Sequence, residues 1–209
     1  MRKKIRKSKK KAPAGRRQAK KTVRRKTKET DIELKLKINA AGSYKINTQV
    51  PFLTHMLEQL AKHGKIDIDI KAAGDVEVDF HHITEDIGIT IGNAISMSAG
   101  NKSGIRRFGS AYGVLDEAVC RVVLDISGRA YCGYGLKPLK KRIGNFDTEL
   151  VEEFFNGLAR GGKMTLHVDQ IKGKNTHHII EAAFKGTALA LREALSPGGT
   201  GIPSTKGRL

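Results

Sequence analysis

Sulfur is scarce in this sequence: 209 residues contain two cysteines, Cys120 and Cys132. Two thiols are too few for a disulfide framework and lack the close pairing of a zinc ribbon, so they read as reduced cysteines of a cytoplasmic protein. No apolar run approaches the roughly 20 residues that a bilayer span requires, and no hydrophobic stretch near the N-terminus suits a signal peptide. Neither a membrane partner nor secretion is therefore expected. Acidic residues are missing from positions 1–28, which hold 16 of the 39 Lys and Arg but none of the 21 Asp and Glu. The other 181 residues hold 23 basic and 21 acidic side chains and are nearly neutral. A nucleic-acid-binding domain needs its positive excess on the folded unit, so the high pI alone does not argue for one.

The basic run has little to bury, and Pro13 and Gly15 interrupt any helix in it. Self-repulsion predicts a disordered extension over residues 1–23. The plain reading is a solubilising appendage with non-specific attraction for nucleic acid; a nucleic-acid tether and an organelle address are the specific ones. A transit peptide fits poorly, because the run is Lys-rich, Ser-poor and not amphipathic. The remaining length can bury the core of one domain without staples.

Within that domain Ile32, Leu34, Leu36 and Ile38 alternate, as do Tyr44, Ile46, Thr48 and Val50 beyond Gly42, which predicts a hairpin. Phe52, Met56, Leu57 and Leu60 recur at helical spacing up to Gly64, where a left-handed cap is easy. Alternation over Ile66, Ile68 and Ile70 predicts a strand, and Val76, Val78 and Phe80 beyond Gly74-Asp75 predict another. Ile83, Ile87, Ile91 and Ile95 then mark a helix face. The later chain repeats the order, with strand material at Arg121 to Ile126, a helix with Phe154, Phe155 and Leu158, a strand at Met164 to Val168 and a helix with Ile180, Phe184 and Leu191. The fold class expected is α+β, internally duplicated, two similar units packed as one domain.

Histidine is also sparse, yet four of the seven form two copies of one motif, His81-His82-Ile83-Thr84-Glu85 and His177-His178-Ile179-Ile180-Glu181. At a helix start, a carboxylate three and four residues beyond a histidine pair shares a face with an imidazole. Adjacent imidazoles cannot point the same way, so each pair can serve two different metals. Burying so many titratable groups without a partner would be costly, which favours metal ligation over packing. Imidazole and carboxylate without sulfur leave Mn, Fe, Zn, Ni and Co open; a six-coordinate ion such as Mn(II) suits a site that must also take substrate. A dinuclear metallohydrolase and a basic RNA-associated protein are the competing classes. No GxSxG nucleophile motif is present, although metal-bound hydroxide would not need one.

The strings DFHHITEDIGITIG (79–92) and NTHHIIEAAFKG (175–186) occur together with PFLTHMLEQLAKHG (51–64), KTKET (26–30), RRFG (106–109) and IPSTKG (202–207). In this order and spacing, the chain over 24–209 closely resembles imidazoleglycerol-phosphate dehydratase of histidine biosynthesis. The resemblance implies sandwich-like α/β units of the ribosomal protein S5 domain 2-like type, helices packed between or against mixed sheets, and pseudo-repeats at about 24–110 and 111–209. It further implies dehydration of imidazole glycerol phosphate to imidazole acetol phosphate, two Mn(II) ions per active site stabilising the imidazolate, and a homo-oligomer of 24 subunits with interfacial sites.

The same resemblance implies that one metal takes His55, His82, Glu85 and His177, and the other His81, His178, Glu181 and the residue at 153. Much of the family carries histidine at that last position, where this chain has Glu153. Glu153 then either binds metal or leaves the site one ligand short. Gln59, Arg107, Arg129, Lys185, Ser204, Thr205 and Lys206 are implied around the substrate phosphate, with Glu29 also contacting substrate. Glu29 and Glu181 are the implied proton-moving carboxylates.

Overall fold

Ile32, Leu34 and Leu36 of β2 (Thr30–Lys37) point one way and are buried, while Glu33 and Lys35 point the other way into solvent. The same two-residue period recurs in β4 (Asp67–Gly74), where Ile68 and Ile70 face inward, and in β6 (Ala118–Asp125) and β10 (Thr165–Lys172) of the later chain. The structure is a computed structural model that describes residues 19–207. Its other strands are β1 (Lys21–Lys26), β3 (Tyr44–Asn47), β5 (Phe108–Leu115), β7 (Tyr131–Gly135), β8 (Arg142–Ile143) and β9 (Phe146–Asp147). The helices are α1 (Pro51–Gly64), α2 (His81–Ala99), α3 (Leu150–Gly162) and α4 (Thr176–Ala194). No helix among the described residues is long and apolar enough to cross a membrane.

The α+β expectation holds. One sheet runs β1-β2-β4-β3 and the other β5-β6-β10-β7, each antiparallel except for its last, parallel pair. The element order β-β-β-α-β-α occurs twice, and the small β8–β9 ribbon is an addition to the second unit. The expected division at 110/111 falls inside β5. Helices α1 and α2 cover the first sheet and α3 and α4 the second, and α2 meets α3 as α1 meets α4. Ile83, Ile87, Ile91 and Ile95 are fully buried in this double helical layer, each contributing about 2 kcal/mol of hydrophobic stabilisation.

The α2–α3 contact is set by glycine. An added Cβ at Gly88 would meet the Phe154 carbonyl oxygen at 2.4 Å, and one at Gly161 the Ile89 carbonyl oxygen at 2.2 Å. Gly92 and Gly157 complete the interlock, so the two backbones touch where larger residues would hold them apart.

Four expectations are corrected. The hairpin of β2 with β3 does not form: β4 lies between them, matching β2 over its whole length from Thr30–Gly74 to Lys37–Asp67. The Asp67 carboxylate accepts from the Gly42 and Ser43 amides and draws the connecting turn across to β4. The segment Val76–Phe80 is a turn rather than a strand, closed by the Val78 amide on the Asp75 carbonyl, with Val78 66 % exposed. The left-handed cap of α1 is Lys65, not Gly64, and its counterpart after α3 is Lys163. Finally, the basic extension is ordered at its end, because β1 pairs with β2 from Lys21–Leu36 to Lys26–Asp31. Acidic partners neutralise it: Arg24 forks onto Asp31, and Arg25 reaches the buried Asp86 at 2.8 Å. The disorder expected for residues 1–18 lies outside the described residues.

Candidate active site

Helix α4 starts at an Asn175 cap whose side chain accepts from the His177 and His178 amides. The two imidazoles there diverge, with ring planes 84° apart, and the pair His81-His82 at the start of α2 diverges by 85°. His177 turns toward α1. Its Nε2 lies 3.2 Å from Glu181 Oε2, and His55 Nε2 of α1 lies 3.2 Å from the same oxygen. Donor atoms of His55, His177 and Glu181 all lie within 4.8 Å of one another, the one such group among the described residues.

Glu181 is buried, and its other oxygen contacts Lys185 Nζ at 2.7 Å. Burial opposes its charge, but the bonds and attraction from Lys185, His55 and His177 prevail and hold its carboxyl below the usual range. One turn further along α1, His63 Nε2 and Gln59 Oε1 are 3.2 Å apart. Burial and then the Lys185 charge push the His63 pKa down. Gln59 and Lys185 therefore belong to the α1–α4 group.

The duplication relates this group to a second one. Matching the left-handed caps Lys65 and Lys163 sets Glu153 in the position of His55, while His81 and Glu85 correspond to His177 and Glu181. The second group is spent differently: Glu85 takes an ion pair from Arg160 of α3 at 2.6 Å, and Glu153 stands half-buried on α3. Within one chain the expected ligand sets are thus divided. His55 and His177 meet, but they do so with Glu181 rather than with His82 and Glu85, because α1–α4 and α2–α3 are separate helix pairs.

The second histidine of each motif turns to the other side. His82 Nδ1 meets the Asp75 carboxylate at 3.0 Å, and its Nε2 stands 4.0 Å from Glu29 Oε1. Glu29 sits in the β1–β2 turn, held by its amide on Thr27 Oγ1 and by its carbonyl oxygen, which accepts from the Asp75 amide. Thr30 beside it donates to Asp86 of α2 at 2.5 Å, tying the turn to the helix. His178 meets Glu117, in the β5–β6 turn, at 2.8 Å. Sequence reasoning missed both Asp75 and Glu117. The internal repeat was the available signal for the latter, since Glu29 and Glu117 each directly precede the second strand of a unit.

Its hydrogen bond to Asp75, helped by the Glu29 charge, raises the His82 pKa above 6.5. A raised folded-state pKa means stabilisation that is full below the unfolded value and lost as pH rises through the folded one. In metal-free protein, the melting-temperature advantage over Asp75→Asn is expected to be largest from about pH 5 to 6.5 and to shrink above that window. A gap independent of pH would contradict this assignment.

Arg107, Arg129, Ser204, Thr205 and Lys206 converge with Ser127 and Gly128 on a cavity of about 490 Å³. Arg107, itself left-handed at φ 73°, forks onto Asp125 and donates to the Pro203 carbonyl, which ties the C-terminal segment to the site. Lys102 is buried in the preceding turn, where burial pushes its pKa down against the pull of Asp125. Cys120 and Cys132 are free thiols pushed up to about 12 by burial, which leaves them poor nucleophiles.

Comparison with known proteins points one way. Residues 48–191 match the family model for imidazoleglycerol-phosphate dehydratase. The enzyme of that name from Trichodesmium erythraeum is 50% identical over 191 residues, covering 90% of each chain. That from Bordetella avium is 50% identical over 188 residues, covering 88% of this chain and 96% of its own. Among solved structures, the Staphylococcus aureus dehydratase superposes with a TM-score of 0.78 at 39% identity, over 86% of this chain and 99% of its own. The Pyrococcus furiosus protein does so at 0.79 and 40%, over 90% and 100%.

Proposed function

The chain belongs to the imidazoleglycerol-phosphate dehydratase family and is a hydro-lyase of histidine biosynthesis; on that premise we propose that its dehydration site is a dinuclear Mn(II) centre shared between subunits. The observation that carries this reading is the triangle of His55, His177 and Glu181. Two imidazoles and a buried carboxylate, without sulfur, suit an intermediate divalent ion. His81, His82, Glu85, Glu153 and His178 are the remaining proposed ligands, and their separation within one chain supports ligation completed by neighbouring copies. When bound, Mn(II) would supply Lewis acidity that favours the substrate's imidazole ring in its deprotonated form.

The chain's own groups do the rest. The cavity of Arg107, Arg129, Ser204, Thr205 and Lys206 offers the donors and positive charge a phosphate needs, although Arg107 commits its fork to Asp125 and has only its remaining N–H groups for the anion. Gln59 and Lys185 stand at the triangle instead, which supports a phosphate site completed by more than one subunit. Glu29 and Glu181 move protons as water leaves the glycerol chain and the enol becomes a ketone. Glu29 is exposed and close to His82, and Glu181 is held ionised by Lys185.

The outer faces of the two sheets support self-assembly. The first carries Asp31, Glu33, Lys35, Asp69 and Lys71, whereas the second presents Phe108, Tyr112, Val114, Val123 and Tyr131, each more than 40% exposed. Exposed apolar side chains at this density, interspersed with the Arg121–Asp169 pair, suit a protein contact, and we assign the face to further copies of this chain within a 24-subunit assembly. Removing metal with a chelator is expected to abolish turnover of imidazole glycerol phosphate and to lower the assembly size, and Mn(II) to restore both. Full turnover by demonstrably metal-free protein, or an elution volume indifferent to Mn(II), would count against the reading.

A further inference from the structure

The β5–β6 turn contributes a side chain that neither the motifs nor the proposed ligand sets use. Glu117 Oε1 accepts from the backbone amides of Lys174, at 3.0 Å, and Asn175, at 2.8 Å. That fixes the carboxylate against the N-terminus of α4, where Asn175 caps the His177 and His178 amides. The second oxygen, Oε2, lies 2.8 Å from His178 Nδ1. With one oxygen anchored on backbone, the other has a defined position, and the imidazole must turn its Nδ1 edge to it.

We propose that Glu117 is a positioning residue that orients His178 for metal ligation, presenting Nε2 as the ligand atom. The claim rests on His178 being a ligand, as proposed above. An ionised carboxylate can only accept, so Nδ1 is the nitrogen that donates, and the neutral ring keeps its lone pair on Nε2. A carboxylate behind a ligating imidazole also raises its basicity and holds its plane, and losing such a partner typically weakens metal binding by about 10–100-fold. The duplication gives the arrangement a twin in which the roles have separated. In the first unit Asp75 takes Nδ1 of His82, and the turn residue Glu29 faces Nε2 from 4.0 Å. In the second unit the turn residue itself has moved onto Nδ1, and the Glu117 carboxylate is tied to the Lys174 and Asn175 amides.

The test is a double-mutant cycle on Mn(II) affinity, with Glu117→Ala, His178→Ala and the pair, read by equilibrium binding alongside the melting temperature of the metal-free proteins. Glu117→Ala is expected to weaken one class of Mn(II) site by about 10–100-fold and to add no further loss in the His178→Ala background, because it acts through that ring. A mere backbone cap would lower the melting temperature in both backgrounds and leave Mn(II) affinity untouched; that result would overturn the proposal while His178 stayed a ligand. Wild-type affinity in His178→Ala would instead remove the ligand assignment, and the positioning role with it. Should Glu117→Ala fail to fold, Glu117→Gln carries the test: a several-fold loss at the same site is expected from the lost charge, and unchanged binding overturns the claim.

Discussion

Replacing Glu181 by glutamine is expected to reduce turnover by about 10³-fold, within the range for loss of a group that moves a proton, and to leave purified protein with less than its full complement of Mn(II). The substitution preserves volume but removes the charge that His55 and His177 converge upon and that Lys185 neutralises. Loss of the carboxylate also leaves the Lys185 ammonium beside an amide, so the local field turns positive where the proposed cation would bind. Steady-state turnover combined with metal analysis reads both effects. Turnover within tenfold of the unsubstituted chain would show that the α1–α4 triangle is not the reacting centre.

The second large effect concerns stability. Gly161→Val should cost about 3 kcal/mol, toward the upper end for overpacking, because even its Cβ would stand 2.2 Å from the Ile89 carbonyl oxygen and 2.9 Å from the Asn93 amide nitrogen. These are backbone atoms within a helix and cannot swing aside as a side-chain tip could. Relief requires parting α2 from α3, and with them the Glu85–Arg160 pair. Urea unfolding of metal-free protein measures the loss; less than about 1 kcal/mol would mean that the helix pair yields without strain.

Much of this was legible in the residues, and the reason is periodicity. The isoleucines of α2, the Phe and Leu face of α3 and the alternation in β2 and β4 are local patterns, and local patterns survive folding. The histidine motifs were legible for the same reason: a carboxylate four residues after His177 shares its helix face and here meets it, as the 3.2 Å contact with Glu181 shows. What escaped depends on partners distant in sequence. The Val76–Phe80 alternation looks like a strand, but Asp75 is engaged by His82 and by the Glu29 carbonyl, so the chain turns there. Likewise β4 displaces β3 from β2 because it offers a longer ladder, which no window of a few residues reveals. The basic run was misjudged at its end for want of its acidic partners, Asp31 and Asp86. The Arg160 partner of Glu85 escaped too, since its helix approaches only because glycine permits it.

His55 is supplied by the first unit and His177 with Glu181 by the second, so the triangle straddles the line along which the chain is doubled. Neither half on its own owns a complete set. The covalent link between the units therefore keeps His55 opposite His177 and Glu181 with no separate association step. The mirror-image corner differs within one chain, with Glu153 standing where the first unit has His55 and Glu85 tethered to Arg160, so the two halves offer unequal grips.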